Sequence, residues 1–393
     1  MDVLALRSES YTLSNQRGLS TMPSRTQAAL LDLEPCQRKE SEMAMSRRSM
    51  AALLLVVALL GGCSSSTDGG ASTTAGAAAK RAVVIVSGGD AVSPFTTPEQ
   101  GCATGLAAGN TDTALREYLL KQGRQVYTSP AMNSRGPVVE QDGFGAFGGC
   151  PVVLPEHMTV NSTADIDLAG VHLGRFLQYL QETYGITDVD LVGHSMGGLF
   201  SRAAIRDLSV TNSTIHIDSL TTIGTPWQGS LLGDFASGAI GLDVCRGDTF
   251  CKKSMEAFKE RTAQVQIGAS QEVTDHYLDG TGGWEAFQAR VLDNIPVTLI
   301  GGTYFDSVAG DARYWPNDGI VALSSALAVD VPSSVLRRRT CHTVHDTHSI
   351  FVSDAAAAEW STALTWDPAV LTTVGEALSS VGTQPTGTGC PGT

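Results

Sequence analysis

Leu191-Val192-Gly193-His194-Ser195-Met196-Gly197-Gly198 is the stretch on which the reading of this chain turns. The run before it, Val189-Asp190-Leu191-Val192, is apolar and strand-like, and the residues after it, Leu199, Phe200, Ala203, Ala204 and Ile205, suit a helix. A G-x-S-x-G sequence between a strand and a helix lifts a serine hydroxyl above the sheet on a very sharp turn. So sharp a turn leaves almost no room for side chains on either side, which accounts for Gly193 and Gly197. The N–H of Met196 then points to where an oxyanion would form, and the helix N-terminus adds partial positive charge there. Ser195 is the candidate nucleophile and Met196 a candidate backbone donor.

Upstream, Arg81-Ala82-Val83-Val84-Ile85-Val86 is a β-branched run without polar alternation, as expected of a strand buried on both faces of a parallel sheet. It ends in Ser87-Gly88-Gly89-Asp90, whose glycines let the backbone turn its N–H groups into a site. A helix start at Asn110-Thr111-Asp112 follows, with Leu115, Tyr118 and Leu119 at helical spacing and Gly123 as its stop. Arg124 to Thr128 reads as a strand, and Ser129 to Pro155 as a long Gly- and Pro-rich loop near the site. Leu173, Phe176, Leu177, Leu180 and Tyr184 form one helical stripe ended by Gly185. After the serine, Ile217 to Ile223 reads as a strand that closes in Gly224-Thr225-Pro226-Trp227-Gln228-Gly229-Ser230. Residues of about 228–294 interrupt the alternation with a helix expected around Met255 to Val265, and an insertion of that size is expected to form a cap or lid. Ile295 to Gly302 resumes the sheet, and Asp367-Pro368 opens a last helix through Leu371, Val374 and Leu378. The expectation is an α/β fold: a mostly parallel sheet with helices on both faces.

A serine nucleophile needs a base, and the base must be oriented by a third group. In α/β-hydrolases the chain order is serine, acid, histidine. The acid candidates past the Ile295–Gly302 strand are Asp306, Asp311 and Asp318, and position alone does not choose among them. The base candidates are His342, His345 and His348 in Cys341-His342-Thr343-Val344-His345-Asp346-Thr347-His348. His348 directly precedes the apolar run Ile350-Phe351-Val352 and leads, with His345 in reserve. A metal reading of the three lacks a matching partner segment. His194 is expected to pack and hydrogen-bond rather than to react.

The chain has 393 residues and a formal net charge of -14, which argues against a nucleic-acid partner. Residues 1–42 lack apolar periodicity and read as an extension ahead of a start at Met43 or Met45. Within 43–62, Arg47-Arg48, the apolar run Ala51 to Leu60 and the small-residue ending form a signal peptide whose apolar core is shorter than the roughly 20 residues of a spanning helix. Gly61-Gly62-Cys63 resembles a bacterial lipobox, so Cys63 is expected to carry lipid and residues 63–79 to tether an exported, monomeric domain of residues 80–380 to a membrane. Residues 381–393 are a Gly/Thr/Pro-rich tail. In an oxidising compartment the remaining cysteines are expected to pair with their nearest neighbours, as Cys102–Cys150, Cys245–Cys251 and Cys341–Cys390.

From about Ala82 to Ser353 the chain resembles secreted bacterial lipases and esterases of the α/β-hydrolase superfamily. Gly-His-Ser-Met-Gly-Gly at 193–198, Ile-Gly-Thr-Pro-Trp-Gln-Gly-Ser at 223–230 and Asn-Asp-Gly-Ile-Val at 317–321 carry the resemblance. It implies Asp318 as the acid and His348 as the base, and a serine ester hydrolase acting on carboxylic esters, lipid-like ones included; no cofactor or metal is expected, although some such lipases bind a structural calcium. An acyltransferase of the same fold and a non-catalytic lipoprotein on the same scaffold are the alternatives. Such lipases usually carry His-Gly after the first strand, where this chain has Ser87-Gly88-Gly89. The second oxyanion donor is then expected at Gly89, ahead of Asp90. No calcium ligand set carries over position by position.

Overall fold

The computed structural model describes residues 80–101, 110–134, 136–141, 145–146, 152–265, 271–279, 282–306, 308–380 and 390. The expected extension, signal peptide, Cys63, tether and Cys102–Cys150 pair lie outside them, as does the tail apart from Cys390.

Six strands build the sheet: β1 (Arg81–Val86), β2 (Val126–Thr128), β3 (Asp188–His194), β4 (His216–Ile223), β5 (Val297–Gly302) and β6 (Arg339–Val344). Their order is β6-β5-β4-β3-β1-β2, with every neighbouring pair parallel. Four helices cover it: α1 (Asn110–Lys121), α2 (Ile166–Tyr184), α3 (Gly197–Val210) and, near the end, Pro368–Ser379. The continuous apolar runs make sense because both faces are covered. Along β1, Ala82, Val84 and Val86 join Leu173, Phe176 and Leu177 of α2 and Leu199 and Phe200 of α3 in one core. Val83 and Ile85 join Leu115 and Leu119 of α1 and Val370, Leu371 and Val374 of the last helix in the other. Each fully buried Leu, Ile or Phe contributes about 1.5–3 kcal/mol. α2 and α3 approach so closely at Gly170 that a Cβ there would come within 2.8 Å of the Ala203 backbone.

The order contains one reversal. From β1 the chain moves outward to β2, then returns to place β3 on the other side of β1. In open parallel sheets the crevice above such a reversal is where ligands bind. The loop after β1 starts at Ser87 and the loop after β3 at Ser195, so both open onto it.

Between β4 and β5 there is no strand among the described residues. The segment holds α4 (Leu231–Ala236), α5 (Thr249–Val265), a short helix Asp275–Leu278 and 3-10 turns at Leu242–Cys245 and Trp284–Gln288. Its Leu231, Leu232, Cys245, Cys251 and Met255 form an apolar cluster together with Trp315. The Cys245–Cys251 disulfide lies in it, and Cys341–Cys390 ties β6 to the chain's end. Trp315 belongs to the loop after β5, and its indole N–H donates to Val244 O at 2.9 Å.

Three elements depart from the sequence expectation. α5 begins at Thr249, six residues before Met255, because Asp248 Oδ1 accepts the Cys251 N–H at 2.7 Å and caps its first turn. α2 begins at Ile166, whose N–H is taken by Glu272 Oε2 at 2.6 Å, a partner far away in sequence. β2 is confined to Val126–Thr128, since the Arg124 N–H is still engaged with Leu119 O of α1 at 3.2 Å.

Candidate active site

Ser195 has φ +55°, a left-handed conformation that a non-glycine residue adopts only where its surroundings hold it. Its N–H donates to Ile223 O at 2.8 Å, and its carbonyl accepts from Thr225 Oγ1 at 2.8 Å and Gly198 N–H at 3.2 Å. The glycines around it are required by contact. A Cβ on Gly193 would lie 2.5 Å from Gly198 N, and one on Gly197 would meet Val86 O and Ser87 O at the end of β1. The serine side chain is partly exposed, and no hydrogen bond to a described residue holds its hydroxyl.

The loop after β1 lies against this turn. A Cβ on Gly88 would come 2.6 Å from Ser195 Cβ and 3.2 Å from Ser195 Oγ, and one on Gly89 would lie 2.6 Å from Met196 Sδ. Only glycine allows main chain this close to the serine. Among the described residues the N–H groups of Met196 and Gly89 donate to no acceptor. That of Asp90 is engaged with Ser162 O at 3.3 Å.

Asp318 and His348, from the loops after β5 and β6, meet in the interior. His348 Nδ1 lies 2.7 Å from Asp318 Oδ2, with the carboxylate wholly buried and the imidazole 7 % exposed. The other carboxylate oxygen, Oδ1, accepts the N–H groups of Ile320 at 2.9 Å and Val321 at 2.7 Å. The His348 N–H also donates to Asp318 O at 2.8 Å, so backbone and side chain both fix the pair. With Nδ1 donating to a carboxylate, Nε2 carries the lone pair. The strand end at Gly224, φ +58°, makes room: a Cβ there would lie 3.0 Å from both Asp318 Oδ2 and His348 Nδ1.

His194 packs its ring 4.7 Å from that of His348, and its Nε2 donates to His348 O at 2.9 Å. Burial first, and the neighbouring His348 second, push its pKa down to about 3. It is therefore neutral and places no positive charge beside His348.

The other candidates sit elsewhere. Asp306 and His345 face each other at 3.5 Å on the surface, 57 % and 62 % exposed, and Asp311 pairs with Arg313 at 2.7 Å in solvent. His342 is half-buried in β6, with its pKa lowered by burial. The three late histidines thus point to three different places. Among the described residues one group could share an ion, Asp188, His216 and Asp218, and it lies at the opposite strand ends beside Arg81. Two cavities of about 530 and 570 Å³ border the segment between β4 and β5, and neither is lined by Ser195, Asp318 or His348.

Sequence reading missed the supporting residues. Thr225 and Gly224 were visible only as a strand-ending Gly-Thr-Pro. Asp346, two residues before His348, is a buried acid whose carboxyl is pushed up to about 8 by burial and then by Asp367. No local pattern marks it.

The model of a family described as "Alpha/beta hydrolase of unknown function" matches residues 156–244, which span α2, β3, the Ser195 turn, α3 and β4. Together with the parallel sheet and its helices, this gives the chain an α/β-hydrolase fold. Among solved structures, it is similar to a lipase of Bacillus licheniformis in its propeptide form, with 17 % identity and a TM-score of 0.40. That match covers 73 % of this chain and 52 % of the other, so the chain spans about half of that lipase's length. A gene product of Listeria innocua is similar at 17 % identity and TM-score 0.42, covering 78 % of this chain and 97 % of the other. An esterase of Pyrococcus furiosus is similar at 14 % identity and TM-score 0.41, covering 77 % and 84 %.

Proposed function

We propose, from the α/β-hydrolase fold and the arrangement at its strand ends, that the chain is a serine hydrolase of carboxylic esters working through an acyl-enzyme. The observation that carries this reading is the buried Asp318–His348 pair, which leaves His348 Nε2 as a lone pair on the edge of the sheet that presents Ser195. Ser195 Oγ attacks the ester carbonyl while His348 Nε2 takes its proton. The tetrahedral oxyanion is received by the N–H groups of Met196 and Gly89, each worth about 3 kcal/mol in comparable sites. His348 then gives the proton to the leaving alcohol, and the acyl group stays on Ser195. Water attacks the acyl-enzyme by the same route, releasing the carboxylic acid and restoring the serine. Asp318 takes no part in the proton transfer itself and holds the ring of His348 in place through its Nδ1. The hydrogen bond between Ser195 Oγ and His348 Nε2 would form as substrate fills the site, as is common for catalytic hydrogen bonds that are loose without substrate.

The segment between β4 and β5 supports the reading of a cap over a lipid-like acyl chain. The Cys245–Cys251 and Cys341–Cys390 bridges fit an exported domain, as does the signal-like segment ending at Cys63, which would anchor it to a membrane.

Ser195→Ala is expected to abolish turnover of p-nitrophenyl esters, and a fluorophosphonate is expected to label Ser195 in the folded wild type. Activity retained in the variant overturns the assignment. Absence of labelling in a folded wild type favours a non-catalytic scaffold, and transfer of the acyl group to an added alcohol in preference to water favours an acyltransferase.

A further inference from the structure

One contact outside the Ser195–His348–Asp318 set reaches the loop beside the serine from the segment between β4 and β5. Asp90 directly follows Gly89 and has φ +55°, a left-handed conformation like that of Ser195. Three contacts keep it there. Its N–H donates to Ser162 O at 3.3 Å, and Ser162 Oγ donates to Ala91 O at 2.9 Å, so one buried serine grips both sides of the residue. Its carboxylate, 5 % exposed, takes a bidentate ion pair from Arg261 of α5, with Nε at 3.1 Å and Nη2 at 2.9 Å. Forked Arg–carboxylate pairs fix direction as well as distance.

The Gly89 N–H belongs to the peptide before Gly89 and the Asp90 N–H to the peptide after it, so the contacts of Asp90 hold the far end of Gly89 and, through that single residue, the placement of its N–H. A lost contact that allowed Asp90 to relax out of the left-handed region would release the far end of Gly89 and let its N–H shift with the loop. Arg261 stands on α5, 171 residues further along and within the segment expected to move.

We propose that Asp90 is a positioning residue for the oxyanion donor at Gly89, and that Arg261 makes this positioning conditional on α5 being seated against the loop after β1. The segment between β4 and β5 would then gate the oxyanion hole as well as cover the acyl chain: lifting α5 breaks the ion pair and lets the donor drift. This rests on the serine-esterase reading above.

The test compares the full-length wild type with Asp90→Asn, Arg261→Gln, the double variant and Arg261→Lys. Readouts are kcat and KM on p-nitrophenyl butyrate, affinity for phenylboronic acid, whose tetrahedral adduct on Ser195 puts a negative oxygen where the oxyanion forms, and Tm. Removing an oxyanion donor costs about 100- to 1,000-fold in kcat, and a displaced one is expected to cost about 10- to 100-fold. The expected result is that loss in kcat for Asp90→Asn and Arg261→Gln, with KM within about twofold and boronate affinity falling in step with kcat. The double variant should be no worse than the poorer single, and Arg261→Lys should recover part of the loss. If Asp90→Asn does not fold, the Arg261 variants, at a partly exposed helix position, carry the comparison. A kcat within twofold of wild type in folded variants overturns the proposal, and so does a loss confined to KM with boronate affinity unchanged. A wild type that neither turns over ester nor labels at Ser195 overturns the esterase reading and this inference with it.

Discussion

Arg202, in the helix that starts at the Ser195 turn, and Glu285, in the segment between β4 and β5, form a buried bidentate ion pair with both bonds at 2.8 Å. Arg202 is 0 % exposed and Glu285 7 %. The guanidinium also lies 4.0 Å from the ring centre of Trp227 and 4.7 Å from that of Trp284. Removing one partner of such a pair leaves an uncompensated buried charge, at a cost of about 3–5 kcal/mol. Arg202→Met and Glu285→Leu are each expected to lower stability by that order in urea unfolding. The double variant, with no charge left to strand, should be more stable than either single. A double variant as unstable as the sum of the two would show that the pair matters through packing alone.

Asp318→Asn keeps the shape of the acid but removes the charge that orients His348, and in comparable triads this lowers kcat by about 10,000-fold. Asp306→Asn, on the surface beside His345, should stay within twofold of wild type. Steady-state kinetics of both variants on one ester decide the matter, and a larger loss at Asp306 would reassign the acid.

The neutral His194 gives a signature in acid. Its pKa of about 3 in the fold lies below the unfolded value of about 6.5. A group depressed in this way contributes stability that is fully present above pH 6.5 and is lost as pH falls towards 3, with a slope of up to about 1.4 kcal/mol per pH unit. The stability difference between wild type and His194→Gln should therefore shrink over that window. A difference that stays constant from pH 7 to 4 would contradict it.

Asp346 behaves in the opposite sense. Its carboxyl, raised to about 8, holds a proton in the fold that it loses near pH 4 when unfolded, and its Oδ2 has no hydrogen-bond partner. The stability carried by that proton is complete below pH 4 and is lost as pH rises through 8. Asp346→Asn mimics the protonated acid at every pH. Its Tm advantage over wild type should grow between pH 4 and 8 and level off above, whereas a pH-independent difference would argue that Asp346 is ionised in the fold.

The sheet and the serine turn could be read from the chain because their causes are local. Strands buried on both faces must be continuous apolar runs, as Arg81–Val86 is, and a turn like that at Ser195 must be flanked by glycines. The acid of the proposed triad could not be read from position, since Asp306 and Asp318 both follow β5. What separates them is the interior position of Asp318 and the two amides that Ile320 and Val321 aim at it, which only the folded loop provides. The start of α2 at Ile166, and the pairs Arg202–Glu285 and Asp90–Arg261, were out of reach for the same reason. Each joins residues 83 or more positions apart that look like ordinary surface polar groups in sequence.

The reversal that sets β3 beside β1 has a bearing on how the chain is made. Lys80, just ahead of β1, meets Thr187, just ahead of β3, across 107 residues, and Asp318 and His348 come from loops after strands further on. A chain growing from its N-terminus possesses Ser195 long before it possesses Asp318 or His348. On the proposed mechanism, that serine has no base to activate it until the last quarter of the chain has been synthesised and laid against β4, and a chain cut short before β6 is expected to be inactive however well its first strands have paired.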